Sequence, residues 1–159
     1  GALYAERNFL FRISTAEVEL EESDFTSLPD YNRLIASVSG TMRLAHGANG
    51  SEKLVLPRST VYAFDGGIQT HCVGKARDLN LMLRKGAAEG ELVFVDSGTE
   101  LNLEPAANET MLLFELESGN AALCAGGNAR LRCTANGQCA LFTVRLVGEA
   151  IPDSDNRNG

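Results

Sequence analysis

The sequence predicts an all-β fold, a sandwich or barrel of about eleven or twelve short strands. Three observations carry this expectation. Apolar and polar residues alternate in short runs, the two-residue period of a half-buried strand. Turn formers interrupt those runs at intervals of about 6–12 residues. Helical periodicity is scarce. So many strands would expose unpaired edges, which closed or double-sheet architectures remove.

The elements follow in order. NFLFRISTAEVEL (8–20) sets Phe9, Phe11 and Ile13 against Leu10, Arg12 and Ser14, as a strand with one buried face would. ESDFTSLPDYNR (22–33) is expected to be a loop, with Pro29-Asp30 as turn formers and Phe25 and Leu28 as apolar anchors. RLIASVSGTMRLAHGANGSEKLVL (33–56) reads as strand, bulge at Gly40, strand, Gly/Asn turn near 47–50, and strand closed by Pro57. TVYAFDGG and QTHCVG each supply a short strand. In RDLNLMLRKG (77–86), Asp78 and Asn80 share one face of an otherwise apolar strand. GELVFVDSG (90–98) is a further strand, and ETMLLFELESGN (109–120) puts Leu112, Phe114 and Leu116 on one face. AALCAGGNARLRCTANGQCALFTVRL (121–146) is expected to meander through tight turns at Gly126-Gly127 and Asn136-Gly137, with Phe142, Val144 and Leu146 opposite Thr143 and Arg145. The weak stretch RKGAAEGE divides the chain into a first half (1–86) and a second (87–149) within one compact unit, followed by a flexible tail (150–159).

Composition excludes several function classes. The net charge is −7 and the basic residues are scattered, with Arg84-Lys85 the only adjacent pair, so no nucleic-acid partner is expected. No apolar run approaches the roughly 20 residues of a membrane-crossing helix, and no signal peptide is visible; a cytoplasmic protein with no membrane partner is expected. A chain of 159 residues, 44% hydrophobic, can bury enough surface to fold without a metal or disulfide. Its cysteines stand at 72, 124, 133 and 139, without C-x-x-C spacing. The Gly126-Gly127 turn would place Cys124 opposite Ala129, and the Asn136-Gly137 turn would place Cys139 opposite Thr134 and Cys133 opposite Ala140. No two sulfurs would face each other, so free thiols packed as small hydrophobes are expected.

Several segments, in order, resemble the HutD/Ves family. FRISTAEV (11–18) is similar to its aromatic-Arg-Ile-Ser segment, and FTSLPDYNR (25–33) to its Phe-x-x-Phe-Pro-Gly-x-x-Arg loop. SGTMRL (39–44) resembles its Gly-x-x-Met-x-Leu strand, YAFDGG (62–67) its aromatic-x-Phe-x-Gly turn, and RDLNLMLRKG its Asp-(Leu/Phe)-Asn-x-Met-x-Arg stretch. The matches span about residues 9–86. Leu28 stands where the family has Phe and Asp30 where it has Gly. The family's N-terminal Asn-Gly-Gly-Gly-x-Thr segment has no counterpart; as the chain starts at Gly1, an N-terminal piece is expected to be missing. The resemblance implies a cupin-like double barrel and an accessory or regulatory role in bacterial histidine utilisation. It implies a small carboxylate ligand of that pathway, such as formylglutamate or urocanate.

Which residues would carry chemistry? With only His46 and His71, and no H-x-H, the imidazoles a cupin metal needs are absent, so no metal or other cofactor is expected. His46 beside the Gly-Asn turn is expected to be exposed. His71 reads as a satisfied barrel histidine, and its neighbour Cys72 points to the opposite face, which argues against a dyad. No Gly-x-Ser-x-Gly elbow or phosphate loop occurs. That leaves Arg12, Arg33, Asp78, Asn80 and Arg84, polar residues embedded in apolar strands. Burying Asp78 and Asn80 without partners would cost several kcal/mol, in order of magnitude. Arg12 or Arg33 would pair with Asp78, or would hold a ligand carboxylate in its guanidinium fork; both roles stand open here. In the ligand reading, Arg12 or Arg33 holds the carboxylate, Asp78 and Asn80 read polar groups, and Phe64 and Met82 form an apolar wall. The alternative is a metal-independent isomerase or lyase of the cupin type acting on a small carboxylate, with His71 or Asp78 as base. A third reading is an interaction module, a homodimer joined through an edge strand.

Overall fold

The structure is a computed structural model that describes residues 7–18 and 22–148. Over these residues the alternating runs become fourteen strands and no helix. In the first half they are β1 (Phe11–Val18), β2 (Glu22–Asp24), β3 (Tyr31–Ser39), β4 (Met42–His46), β5 (Glu52–Leu56), β6 (Val61–Asp65), β7 (Thr70–Val73) and β8 (Ala76–Arg84). In the second they are β9 (Ala88–Val95), β10 (Glu100–Leu103), β11 (Glu109–Glu115), β12 (Ala121–Ala125), β13 (Leu131–Thr134) and β14 (Cys139–Leu146). The tail and Ile151 lie outside the described residues.

Four sheets result. An inner sheet of order β1-β8-β3-β6 faces an outer sheet β2-β7-β4-β5, and an inner sheet β12-β11-β14-β9 faces an outer pair β10-β13. The first sandwich closes on Ile35, Met42, Leu44, Leu56, Cys72 and Ala76. The second closes on Val95, Leu103, Leu113, Cys124, Ala135 and Cys139. The two inner sheets pack back to back through Leu79, Leu81 and Leu83 of β8 against Leu92, Ala140, Phe142 and Val144 of β9 and β14. At Gly90 an added Cβ would meet the Thr143 carbonyl at 2.6 Å and the Leu83 and Leu81 side chains at 3.3 and 3.4 Å. A bare backbone there lets those leucines reach the second half.

The all-β expectation holds, and the structure corrects several details within it. The segment expected to be a loop at 22–33 contains β2 at its start, because Glu22, Ser23 and Asp24 pair with Val73, Cys72 and His71. Strand β10 is not among the expected strands, although Glu100, Leu101, Asn102 and Leu103 do alternate; the run is only four residues long. The register shift in β3 falls between Ser37 and Ser39, ahead of Gly40. Gly40 instead makes the turn into the outer sheet with φ +74°, its Cα turned against the Lys75 carbonyl where a Cβ would collide.

Neither expected hairpin in the C-terminal meander forms. β12 pairs with β11, β13 with β10, and β14 with β11 and β9, so each tight turn carries the chain from one sheet to the other. Turn chemistry fixes a reversal of direction, and burial then decides which strand becomes the partner. All four cysteines are free thiols, with Cys72, Cys124 and Cys139 buried and Cys133 half-buried. Phe142, with 0% exposure between the two inner sheets, tests this packing. Phe142→Ala is expected to cost about 3–5 kcal/mol of stability in urea unfolding; a loss under about 1 kcal/mol would contradict a shared core at that position.

Candidate functional site

β8 is buried on both faces. Its Leu79, Leu81 and Leu83 point to the second half, and alternation turns Asp78, Asn80 and Met82 into the first sandwich. Register decides their neighbours. Met82 lies between Arg12 of β1 and Arg33 of β3, Asn80 between Ser14 and Ile35, and Asp78 between Ala16 and Ser37. Residues directly opposite across antiparallel strands share a face. The pair that looks anomalous in the sequence is therefore inward, on one face, and beside two arginines.

A connected network satisfies it. Arg33 Nη2 donates to Asn80 Oδ1 at 2.7 Å, and Asn80 Nδ2 donates to Asp78 Oδ1 at 3.0 Å. Arg33, Asp78 and Asn80 are only 5%, 3% and 6% exposed. The guanidinium of Arg33 lies over the Phe25 ring at 4.9 Å and the Phe64 ring at 5.4 Å. Two aromatic faces thus fix the plane of the cation. Arg12, half-buried, donates to Ser14 Oγ at 3.0 Å. These groups open onto a cleft of about 250 Å³ lined by Arg12, Ser14, Arg33, Asp78, Asn80 and Met82, and also by Asp24, Phe25 and Thr26.

Burial raises the Asp78 pKa above the ordinary carboxylate value, against the lowering by hydrogen bonds from Asn80 and the Ala16 backbone and by the charge of Arg33. The same interior pushes the Cys72 thiol up to about 11, through desolvation first and the Asp78 charge second, so Cys72 is no nucleophile. Among the described residues no three His, Cys, Asp or Glu side chains converge as a metal would require.

Five of the six expected site residues, Arg12, Arg33, Asp78, Asn80 and Met82, line this cleft. Phe64 stands behind Arg33 and supports its guanidinium without lining the cleft. Arg84 turns elsewhere, onto Asn8 and the Tyr31 ring. His71 sits on the other face of β7 from buried Cys72, hydrogen-bonded through Nδ1 to Asp24 Oδ1 at 2.8 Å. Of the two candidate bases, Asp78 faces the cleft and His71 does not. His46, expected on the surface, is 3% exposed: Nδ1 lies 2.9 Å from Thr70 Oγ1 and Nε2 3.1 Å from the Tyr62 hydroxyl. Alternation along β4 places it inward with Met42 and Leu44, a signal that proximity to the turn obscures. Ser14 and Phe25 belong to the segments that resemble the family and are not among the expected site residues; register and the return of the loop bring them there.

Comparison with known proteins fits this architecture. The HutD family model matches residues 3–145, and the chain belongs to the HutD family. HutD from Pseudomonas fluorescens SBW25 is similar in structure, with TM-score 0.70 and 24% identity over 88% of this chain and 81% of that one. The conserved protein of unknown function PA5104 from Pseudomonas aeruginosa PAO1 gives TM-score 0.68 and 28% identity over 87% and 83%. AerE from Microcystis aeruginosa shares the fold at TM-score 0.56 and 9% identity, covering 87% of each chain. No curated protein matches the chain in sequence.

The raised Asp78 pKa has a measurable consequence. The folded protein holds this proton at pH values where the unfolded chain, with an Asp pKa of about 3.9, has released it. The resulting stabilisation is whole below about pH 3.9 and is lost as pH rises through the folded value. The melting temperature of the wild type relative to Asp78→Asn is therefore expected to fall across that window. A difference that stays flat or grows with pH would contradict the assignment.

Proposed function

We propose that this HutD-family protein binds a small carboxylate in the first-sandwich cleft and serves as an accessory or regulatory component of histidine utilisation. One observation carries the reading: two guanidinium groups and an oriented carboxamide line a single cleft of about 250 Å³. The edge of the Arg33 guanidinium matches the geometry of a carboxylate, and its aromatic flanks hold it in place before the ligand arrives. Arg12 supplies a second cation at the more exposed side, and Met82 an apolar floor between the two. Asp78 fixes the orientation of Asn80, so that the amide oxygen faces Arg33 and its nitrogen faces the carboxyl. Family membership supports a ligand of the histidine pathway, formylglutamate or urocanate.

A second reading uses the same cleft. Asp78 is a buried carboxyl with a raised pKa in an accessible site, the condition of a general base or acid in a metal-independent isomerase or lyase. Turnover separates the two readings. If the protein is an enzyme, Asp78→Asn removes product formation followed by NMR while binding survives; if no candidate carboxylate is converted, the base role falls.

Binding itself is checked by thermal shift and calorimetry with formylglutamate and urocanate. A ligand at 100 times its Kd is expected to add about 2.7 kcal/mol of stability. Arg12→Gln, at a half-exposed position, and Arg33→Lys are each expected to weaken affinity about tenfold or more, the scale of one lost charge-assisted hydrogen bond. No stabilisation at millimolar concentration sinks the ligand tested.

A further inference from the structure

The two halves share a strand plan that the sequence conceals. The first inner sheet runs β1-β8-β3-β6 and the second, read from its other edge, β9-β14-β11-β12. The first outer sheet contains the pair β2-β7 and the second the pair β10-β13. In chain order β9, β10, β11, β12, β13 and β14 thus take the places of β1, β2, β3, β6, β7 and β8. The β4–β5 hairpin has no counterpart among the described residues. Register agrees as well. The ladder from Phe11↔Leu83 to Val18↔Ala76 matches, rung for rung, the ladder from Ala88↔Leu146 to Val95↔Cys139. On the other side of the central strand, Arg33↔Met82 matches Glu109↔Arg145.

This correspondence gives the first-half cleft a counterpart. The rung Arg12–Met82–Arg33 becomes Glu89–Arg145–Glu109, and Ser14–Asn80–Ile35 becomes Glu91–Thr143–Met111. A cleft of about 290 Å³ does lie there, lined by Glu89, Gly90, Glu91, Glu109, Thr143 and Arg145. Its charge order is reversed. Two cations flank an apolar side chain in the first half, whereas two carboxylates flank a cation in the second. Arg145 Nη2 holds Glu89 Oε2 at 2.6 Å, and its pKa is raised by the Glu89 hydrogen bond and charge, with Glu109 adding to it.

We infer that the second cleft is the duplicated counterpart of the carboxylate site, closed to anions because Glu89 and Glu109 occupy the rung positions of Arg12 and Arg33, Glu89 holding Arg145 directly and Glu109 adding its negative charge. One rung, in this account, decides which half binds. The inference rests on the carboxylate reading of the first cleft, and it limits that binding to a single equivalent per chain. Opening the second site requires no new cation, only removal of the carboxylates around the one already there.

The test is a calorimetric titration of N-formylglutamate into the wild type and into Glu89→Gln/Glu91→Gln/Glu109→Gln, which preserves side-chain size while removing the three carboxylates that line the cleft around Arg145. One equivalent bound by the wild type and two by the variant is the expected result, the added site disappearing when Arg145→Met is introduced as well. No binding to the wild type but one equivalent to the variant would end the carboxylate reading of the first cleft and leave this inference standing. Two equivalents bound by the wild type, or no added site in a folded variant, would overturn it. Should that variant fail to fold, Glu89→Gln/Glu91→Gln, at two exposed positions, is read in the same way.

Discussion

One strand with two buried faces holds this molecule together. β8 gives its leucines to the core shared by both inner sheets and its polar residues to the interior of the first sandwich. Those demands are coupled by the pleat. A slip of one residue would drive Asp78 and Asn80 into the leucine layer and turn the leucines into the cleft, so every rung with β1 and β3 is pinned at once. The apolar face supplies the driving force, and the polar face uses the resulting precision.

What the polar face contains is costly in isolation. A guanidinium and a carboxyl removed from water lose hydration worth several kcal/mol each, on the order of what their attraction returns. The structure offsets this with an amide set between them: Asn80 accepts from Arg33 and donates to Asp78, so both ends are satisfied through one neutral link. The rings of Phe25 and Phe64 pack against the Arg33 guanidinium and hold it in place. Such an arrangement contributes little net stability and fixes the orientation of every group within it.

The second half shows what the same strand plan becomes with different side chains. Without a β4–β5 equivalent among the described residues, its outer layer is the pair β10-β13 alone, and Cys133 stays half-buried where the first sandwich buries Cys72. Its cleft sets three carboxylates, Glu89, Glu91 and Glu109, around the single cation Arg145. Backbone register survives where side-chain chemistry has diverged, because ladders depend on peptide groups and the inward–outward pattern and tolerate exchange of the residues that face a cleft.

The sequence by itself determined the fold class, most of the strands and the inward pairing of Asp78 with Asn80, because a two-residue period is local and survives any arrangement of sheets. Polar residues embedded in apolar strands pointed to Arg12 and Arg33 as companions of that pair. Only the tertiary structure decided that these side chains meet on adjacent rungs, that Phe64 supports Arg33 from behind, and that His46 is buried. It alone decided the partners of β12, β13 and β14, where good hairpin turns lead into different sheets. The reason is the same throughout: partner choice is set by burial between segments far apart in the chain, and no local pattern carries that information. The match of Arg12–Met82–Arg33 to Glu89–Arg145–Glu109 lies further still from the sequence, since the two rungs share position and not one residue type on the same strand.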